Sequence, residues 1–316
     1  MTDFEGSSAF LITKPLQLMV ALSILRQSKW ASPPSFLIAD TFEDAEAVFA
    51  RLPATYGNDL NAKFFLSQKE AYRHLGNNSY TNVFIDSDVG AKKFLMLSLF
   101  KLRNIQSSIY VYEEGVGTYR TDLYAGWKAK LFDYIGIATY FGGCRFTDSI
   151  FVFDPIEYEQ KFARVAGKVR RISTTLEEFL VADGGKLNSV FGFQGESLGK
   201  QCSGVCKVYL SAWAIDEKFL EYFTRLPGDL YIKPHPHILG TILPSDIAII
   251  ASGVPAELVV KNLLERYEFI EVFDHRSSVR QYIKSKRISF ECVDDILRPL
   301  QPGPDPKPND QILEEL

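Results

Sequence analysis

The sequence predicts an α/β protein made of two Rossmann-like domains facing a cleft. Three observations carry this. Short apolar, β-rich runs alternate with segments of helical period, first over 9–115 and again over 207–300. Between the two series, "GFQGESLGKQCSG" (192–204) is a Gly/Ser/Gln-rich break that reads as a loop or linker. At 316 residues the chain is long for one core and comfortable for two. The expected division is residues 1–155, residues 156–300, and a Pro-rich polar tail over 301–316 that is extended or disordered.

The elements follow in order. "AFLIT" (9–13) reads as a buried strand and precedes the helical "PLQLMVALSILRQ" (15–27), whose Pro15 suits a first helical position. "SFLIADT" (35–41) precedes "FEDAEAVFARL". "NAKFFLS" (61–67) precedes "QKEAYRHL", and "NVFIDSD" (82–88) precedes "AKKFLMLSLFKLRN". "SIYVYEEG" (108–115) closes the first series. The second runs "KVYLSAW" (207–213), "DEKFLEYFTRL", "DLYIKPHP" (229–236), "DIAIIAS" (246–252), "PAELVVKNLLERY", "FIEVFDH" (269–275), "SSVRQYIKS", "RISFECV" (287–293) and "DDILRPL". Near-continuous apolar strands separated by helices predict parallel sheets covered on both faces.

Composition narrows the function. Hydrophobic residues make up 46% and charged residues 23%, as in a globular, water-soluble protein. A net charge of -4 gives no global reason for nucleic-acid binding. No apolar run approaches ~20 residues, and the start lacks a signal-peptide layout. The four cysteines, Cys144, Cys202, Cys206 and Cys292, fit no zinc spacing and read as reduced thiols in a cytoplasm. GxGxxG, the Walker loop, HExxH and GxSxG are all missing, which weakens the corresponding enzyme classes.

Ligands of open parallel sheets sit beyond the carboxyl ends of the strands, so the residues there are the candidates. Glu113 and Glu114 end a strand on opposite faces, followed by Gly115 and Gly117, which permit a sharp turn. One carboxylate can act as a general base while its neighbour packs inward; the plain alternative is a solvated turn. In "YIKPHPH", Lys233 precedes His235, which Pro234 and Pro236 hold on either side. An imidazole there suits a phosphate or a leaving group that needs a proton, or is a loop histidine. Glu257 falls in a first helical turn, favoured by the helix dipole or placed for a ribose diol. Ser277 and Ser278 begin a helix as caps or as an anion site, with His275 and Arg276 adding positive potential. Ser211 and Trp213 follow a strand and can donate to, or stack on, a ligand, or belong to the core. "DSD" (86–88) is a strand-end turn or a metal motif. The stretch 123–141 mixes Trp127, Phe132 and Tyr134 with Lys128 and Lys130, and reads as an amphipathic core helix, or one touching lipid or acceptor.

The order of these motifs resembles the bacterial sialyltransferases of the GT-B fold, among them lipooligosaccharide sialyltransferases and capsule polysialyltransferases. Their acid–acid–Gly, His-Pro and Ser/Thr-pair motifs match Glu113-Glu114-Gly115, His235-Pro236 and Ser277-Ser278. Their "TPLQ"-type first turn resembles Thr13-Lys14-Pro15-Leu16-Gln17, with Lys14 where Thr is usual. The acidic pair is Glu-Glu where pairings ending in Asp are commoner. The resemblance implies an inverting transfer of sialic acid from CMP-sialic acid to a hydroxyl of a bacterial lipopolysaccharide or capsule glycan, with no metal or other cofactor. It implies Glu114 as base with Glu113 as fallback, and His235 at the departing phosphate. Pro236, Ser277, Ser278, Glu257, Ser211, Trp213 and Lys233 would hold the CMP donor. Thr13, Lys14, Gln17 and Gly115 would hold the acceptor. The expected partners are a CMP-sugar and an oligosaccharide or glycolipid, with no nucleic acid. The expected location is the cytoplasm, at the inner face of the inner membrane. Two alternatives stay open: another CMP-activated acid (Kdo, pseudaminic or legionaminic), or a non-catalytic glycan- or nucleotide-binding protein.

Overall fold

A computed structural model describes residues 2–193, 204–236, 238 and 247–298. The chain divides into two compact units, 1–192 and 193–316. Most of the linker at 192–204, the tail at 301–316, Cys202 and His237 lie outside the described residues.

In the first unit, strands β1 (Asp3–Phe4) and β3 (Lys29–Trp30) form a small parallel pair, with Phe4 stacked on Trp30. The main sheet has seven parallel strands: β2 (Ser8–Ile12), β4 (Ser35–Ala39), β5 (Asn61–Phe65), β6 (Asn82–Ile85), β7 (Ser108–Tyr112), β8 (Ser149–Val152) and β9 (Val169–Arg171). Their order is β5-β4-β2-β6-β7-β8-β9. The chain runs outward from β2 to β5, then returns to β6 and runs to the other edge. The reversal lies between β2 and β6, where Ala9 faces Val83, and this is where such sheets open a crevice. The helices are α1 (Pro15–Gln27), α2 (Ala45–Tyr56), α3 (Gln68–Asn77), α4 (Gly90–Arg103), α5 (Gly126–Ile135), α6 (Pro155–Lys161) and α7 (Leu176–Phe191). Helix α1 opens on Pro15 as predicted and buries Leu18, Val20, Leu22 and Ile24. Strand β2 is buried along its whole length, which explains its uninterrupted apolar run.

The second unit has five parallel strands in the order β12-β11-β10-β13-β14: β10 (Val205–Leu210), β11 (Asp229–Lys233), β12 (Ala248–Ile249), β13 (Phe269–Asp274) and β14 (Ile288–Cys292). Its helices are α8 (Glu217–Phe223), α9 (Ala256–Leu264), α10 (Val279–Tyr282) and α11 (Val293–Leu297). Tyr209, Phe219, Phe223 and Phe273 build its core.

Two expectations change. The first unit runs to Gly192, not 155, because β8 and β9 extend its sheet. Helix α7, with a Thr175–Glu178 capping box, packs on α1 and α2. Helix α5 is no core helix: none of its residues is buried. Among the described residues no helix is long and apolar enough to cross a membrane.

Candidate functional site

The first cluster of polar groups forms past the carboxyl ends of β2, β6 and β7. The alternation of β7 continues one residue beyond the strand and parts the two glutamates. Glu113 is 0% exposed. Its Oε2 accepts the Tyr119 hydroxyl at 2.8 Å and the Phe153 backbone N–H at 2.7 Å, so it anchors the strand end to the loop after β8. Burial, and then the Glu113 carboxylate, push the Tyr119 phenol far above its ordinary value, so it stays a donor.

Glu114 points the other way. Its Oε2 accepts the Lys14 ammonium at 3.0 Å and the Gln17 amide at 3.1 Å. Gln17 is itself oriented, because its Oε1 accepts both the backbone N–H and the hydroxyl of Thr13, at 2.8 and 3.0 Å. The Glu114 backbone N–H donates to Thr118 Oγ1 at 2.9 Å. Gly115 follows at φ 111 and ψ -156, a region closed to residues with a Cβ. This is the physical reason for a glycine after the acid pair: the chain must reverse at once into the turn Val116–Tyr119. The carboxylate of Glu114 raises the Lys14 pKa against the opposing effect of burial.

The same rim holds Asp86, the first residue of "DSD", with two partners the sequence reading did not single out, Tyr72 and Lys93. Asp86 accepts the Tyr72 hydroxyl at 3.1 Å and the Lys93 ammonium at 3.3 Å, and Lys93 also donates to Tyr72. Thr118 and Tyr119 could have been suspected from the polar residues after Gly117. Lys93 carries no such signal in a helix rich in lysine. In "DSD", Asp88 is a buried structural carboxylate that accepts Gly142 N–H, Cys144 N–H and the Thr147 hydroxyl.

The second cluster lies past β10, β11 and β13. Ser211 Oγ accepts the His235 backbone N–H at 3.0 Å, tying the two strand ends together. The Trp213 and His235 rings lie 4.6 Å apart at 31°, and Trp213 is 62% exposed. His235 O accepts Ile238 N–H, so Pro236 sits inside a turn. Lys233 is buried and donates to the carbonyls of Pro234 and Ser252. Glu257, in the first turn of α9, is buried and accepts the Ser278 hydroxyl at 2.6 Å. Burial raises its pKa, against the Ser278 hydrogen bond and the nearby Lys233 charge.

Ser277 and Ser278 are thus used differently from a simple cap. Ser277 Oγ accepts Val279 N–H, while Asp274 takes the backbone N–H groups of Arg276 and Ser277 and the Arg280 guanidinium. His275 sits between Asp294 Oδ1 at 2.9 Å and the Tyr209 hydroxyl at 3.4 Å.

No family model matches the sequence, and no curated protein matches it. Solved structures do. The UDP-GlcNAc 2-epimerase of Methanocaldococcus jannaschii, in complex with UDP-GlcNAc and UDP, superposes with a TM-score of 0.51 at 10% identity, over 92% of this chain and 89% of that one. The wall teichoic acid polymerase TagF reaches a TM-score of 0.48 at 11% identity, over 87% of this chain and 66% of that chain. The likeness to the epimerase shows the fold: an α/β chain of two Rossmann-like units of GT-B type.

Proposed function

We propose that the protein is a GT-B enzyme acting on nucleotide-activated sugars, and that it transfers sialic acid from CMP-sialic acid to a hydroxyl of a bacterial surface glycan, with inversion and without a metal. The observation that supports this best is the held carboxylate of Glu114. Two side-chain donors on one turn aim it, and it sits at the carboxyl rim of a parallel sheet. The second unit carries its own set: an imidazole beside an exposed indole, with a buried acid–hydroxyl pair on the same rim.

In this reading Glu114 takes the proton of the acceptor hydroxyl, and that oxygen forms a bond to the anomeric carbon. The bond from the anomeric carbon to the phosphate oxygen breaks, and its electron pair leaves with CMP. His235 donates to that oxygen as its charge grows. Trp213 offers a face for the cytosine. Glu257 accepts a hydrogen bond from the ribose with its remaining lone pairs, and Ser277 and Ser278 stand by the phosphate. Lys14, Gln17 and Thr13 line the acceptor side. Glu113 keeps the strand end in place. In this reading the acceptor is lipid-linked and the protein works at the inner face of the inner membrane.

The test is CMP release from CMP-sialic acid and from the Kdo, pseudaminic and legionaminic analogues, with sugar acceptors and a chelator present. Acceptor-dependent release from the sialic acid donor is expected. No release from any CMP-sugar, or release that stops without a divalent cation, overturns the reading.

A further inference from the structure

Helix α5 shows an arrangement that water alone does not explain. Trp127, Leu131, Tyr134 and Ile135 recur at i, i+4, i+7 and i+8, so they share one side of the helix. That side faces solvent: Trp127 is 77% and Tyr134 90% exposed, and Leu131 and Ile135 are exposed as well. Single exposed apolar residues are ordinary, but a continuous stripe on a ten-residue helix is not. The helix is fastened from its other side. Phe132 packs on Tyr124, and Asp133 pairs with Arg164 at 2.6 Å and accepts the Thr139 hydroxyl at 3.0 Å.

Charge identifies the occupant. At 3.6 residues per turn, Lys128 and Lys130 fall on the two edges of the stripe. Asp133, the helix's one carboxylate, lies opposite and is neutralised by Arg164. Lys128 also lies over the Tyr124 and Phe132 rings. On a chain of net charge -4, this is a local cationic frame around an apolar and aromatic strip. Indole and phenol rings with flanking lysines are what a headgroup–acyl boundary accepts, the lysine stems lying along the apolar zone and their ammonium groups reaching phosphate. Helix α4 repeats the pattern, with exposed Leu95, Leu99 and Leu102 on one side and Lys92 and Arg103 along its edge. Its start adjoins the segment before α5, since a Cβ on Gly90 would stand 2.8 Å from the Tyr124 hydroxyl.

We propose that α5 is a membrane-docking helix that lies flat in the interface of an anionic phospholipid bilayer, with Trp127, Leu131, Tyr134 and Ile135 inserted and Lys128 and Lys130 on lipid phosphates. This deepens the reading of a lipid-linked acceptor, yet it stands on the helix alone and is tested with no sugar nucleotide present.

The test is co-sedimentation of the full chain with vesicles of phosphatidylcholine, alone or mixed with phosphatidylglycerol. The wild type is expected to partition onto the mixed vesicles, weakly onto the neutral ones, and less as salt rises. Trp127→Gln with Leu131→Gln should lower partitioning roughly tenfold or more. Lys128→Gln with Lys130→Gln should lower it by about fivefold per lysine on the anionic vesicles only. Glutamine keeps good helix propensity, and these positions are exposed, so an unchanged thermal midpoint accompanies both results. Three outcomes overturn the proposal: wild type that stays in the supernatant with anionic vesicles, both variants partitioning like wild type, or an apolar variant that only turns a dimer into a monomer. The last would give the stripe to a second copy of the chain.

Discussion

The carboxyl rims of the two sheets are built by the same topology and equipped in opposite ways. In the first unit the rim is a closed polar relay: Thr13 orients Gln17, and Gln17 and Lys14 hold Glu114. In the second, an indole and an imidazole lie 4.6 Å apart, tilted by 31°, with the indole in solvent, while the charged groups Lys233 and Glu257 are buried. A carboxylate fixed by two donors is suited to receiving a proton in one place. An exposed ring on a rim that also has buried donors and acceptors is suited to holding a flat base and reading its sugar. The difference teaches that a shared fold fixes where a site sits, and the side chains at the strand ends decide what each rim can hold.

The sharpest break in this comparison is a split between adjacent glutamates. Glu114→Gln should cut acceptor-dependent CMP release by about 10²–10⁴-fold, with a denaturation midpoint close to wild type. Glu113→Gln should do the reverse. Both donors reach one oxygen, so the amide still accepts them, but as neutral bonds without the carboxylate's charge; unfolding free energy should therefore fall by about 1–3 kcal/mol, while folded protein keeps most of its rate. Urea titration beside the release assay reads both, and an exchange of the two phenotypes would make Glu113 the base. A smaller effect is expected in the second unit. Trp213→Ala should raise the donor KM about threefold to tenfold with little change in kcat or thermal midpoint; an unchanged KM removes the indole from the nucleotide.

The smallest effect concerns pH. Burial lifts the Glu257 carboxyl above its ordinary 4.5, so the folded state holds its proton more tightly than the unfolded state. The cost of ionising it in place is absent below the unfolded pKa, grows as pH rises through the folded value, and is fully present above that. Glu257→Gln keeps an oxygen for the Ser278 hydroxyl and removes this cost. Its thermal midpoint should exceed that of wild type at neutral pH and converge with it near pH 4.5 and below. A variant less stable than wild type at neutral pH would show that Lys233 and Ser278 outweigh burial.

Much of the fold was legible in the chain. Strand β2 and helix α1 read directly, because a short apolar run followed by Pro15 and a longer periodic segment leaves few alternatives. Strands β8 and β9 were not read: β9 is Val-Arg-Arg with its arginines exposed and shows no apolar run, and without it β8 had no partner to mark the sheet as continuing past 115, so 156–192 was assigned to the other half. The acid–acid–Gly turn was visible, as was the opposite facing of its two carboxylates. Which one faces the rim was not, and neither was the exposure of α5, whose spacing fits a buried face as well as a wet one.

Local periodicity and turn chemistry determined the alternation of strands and helices, the left-handed position at Gly115, and the list of groups at strand ends, because these depend on neighbours a few residues away. Only the tertiary structure decided which of those groups meet. Lys14 reaches Glu114 across 100 positions of chain, and Ser278 reaches Glu257 across 21. Such pairings are set by strand order, and strand order follows from how whole elements bury their faces against one another.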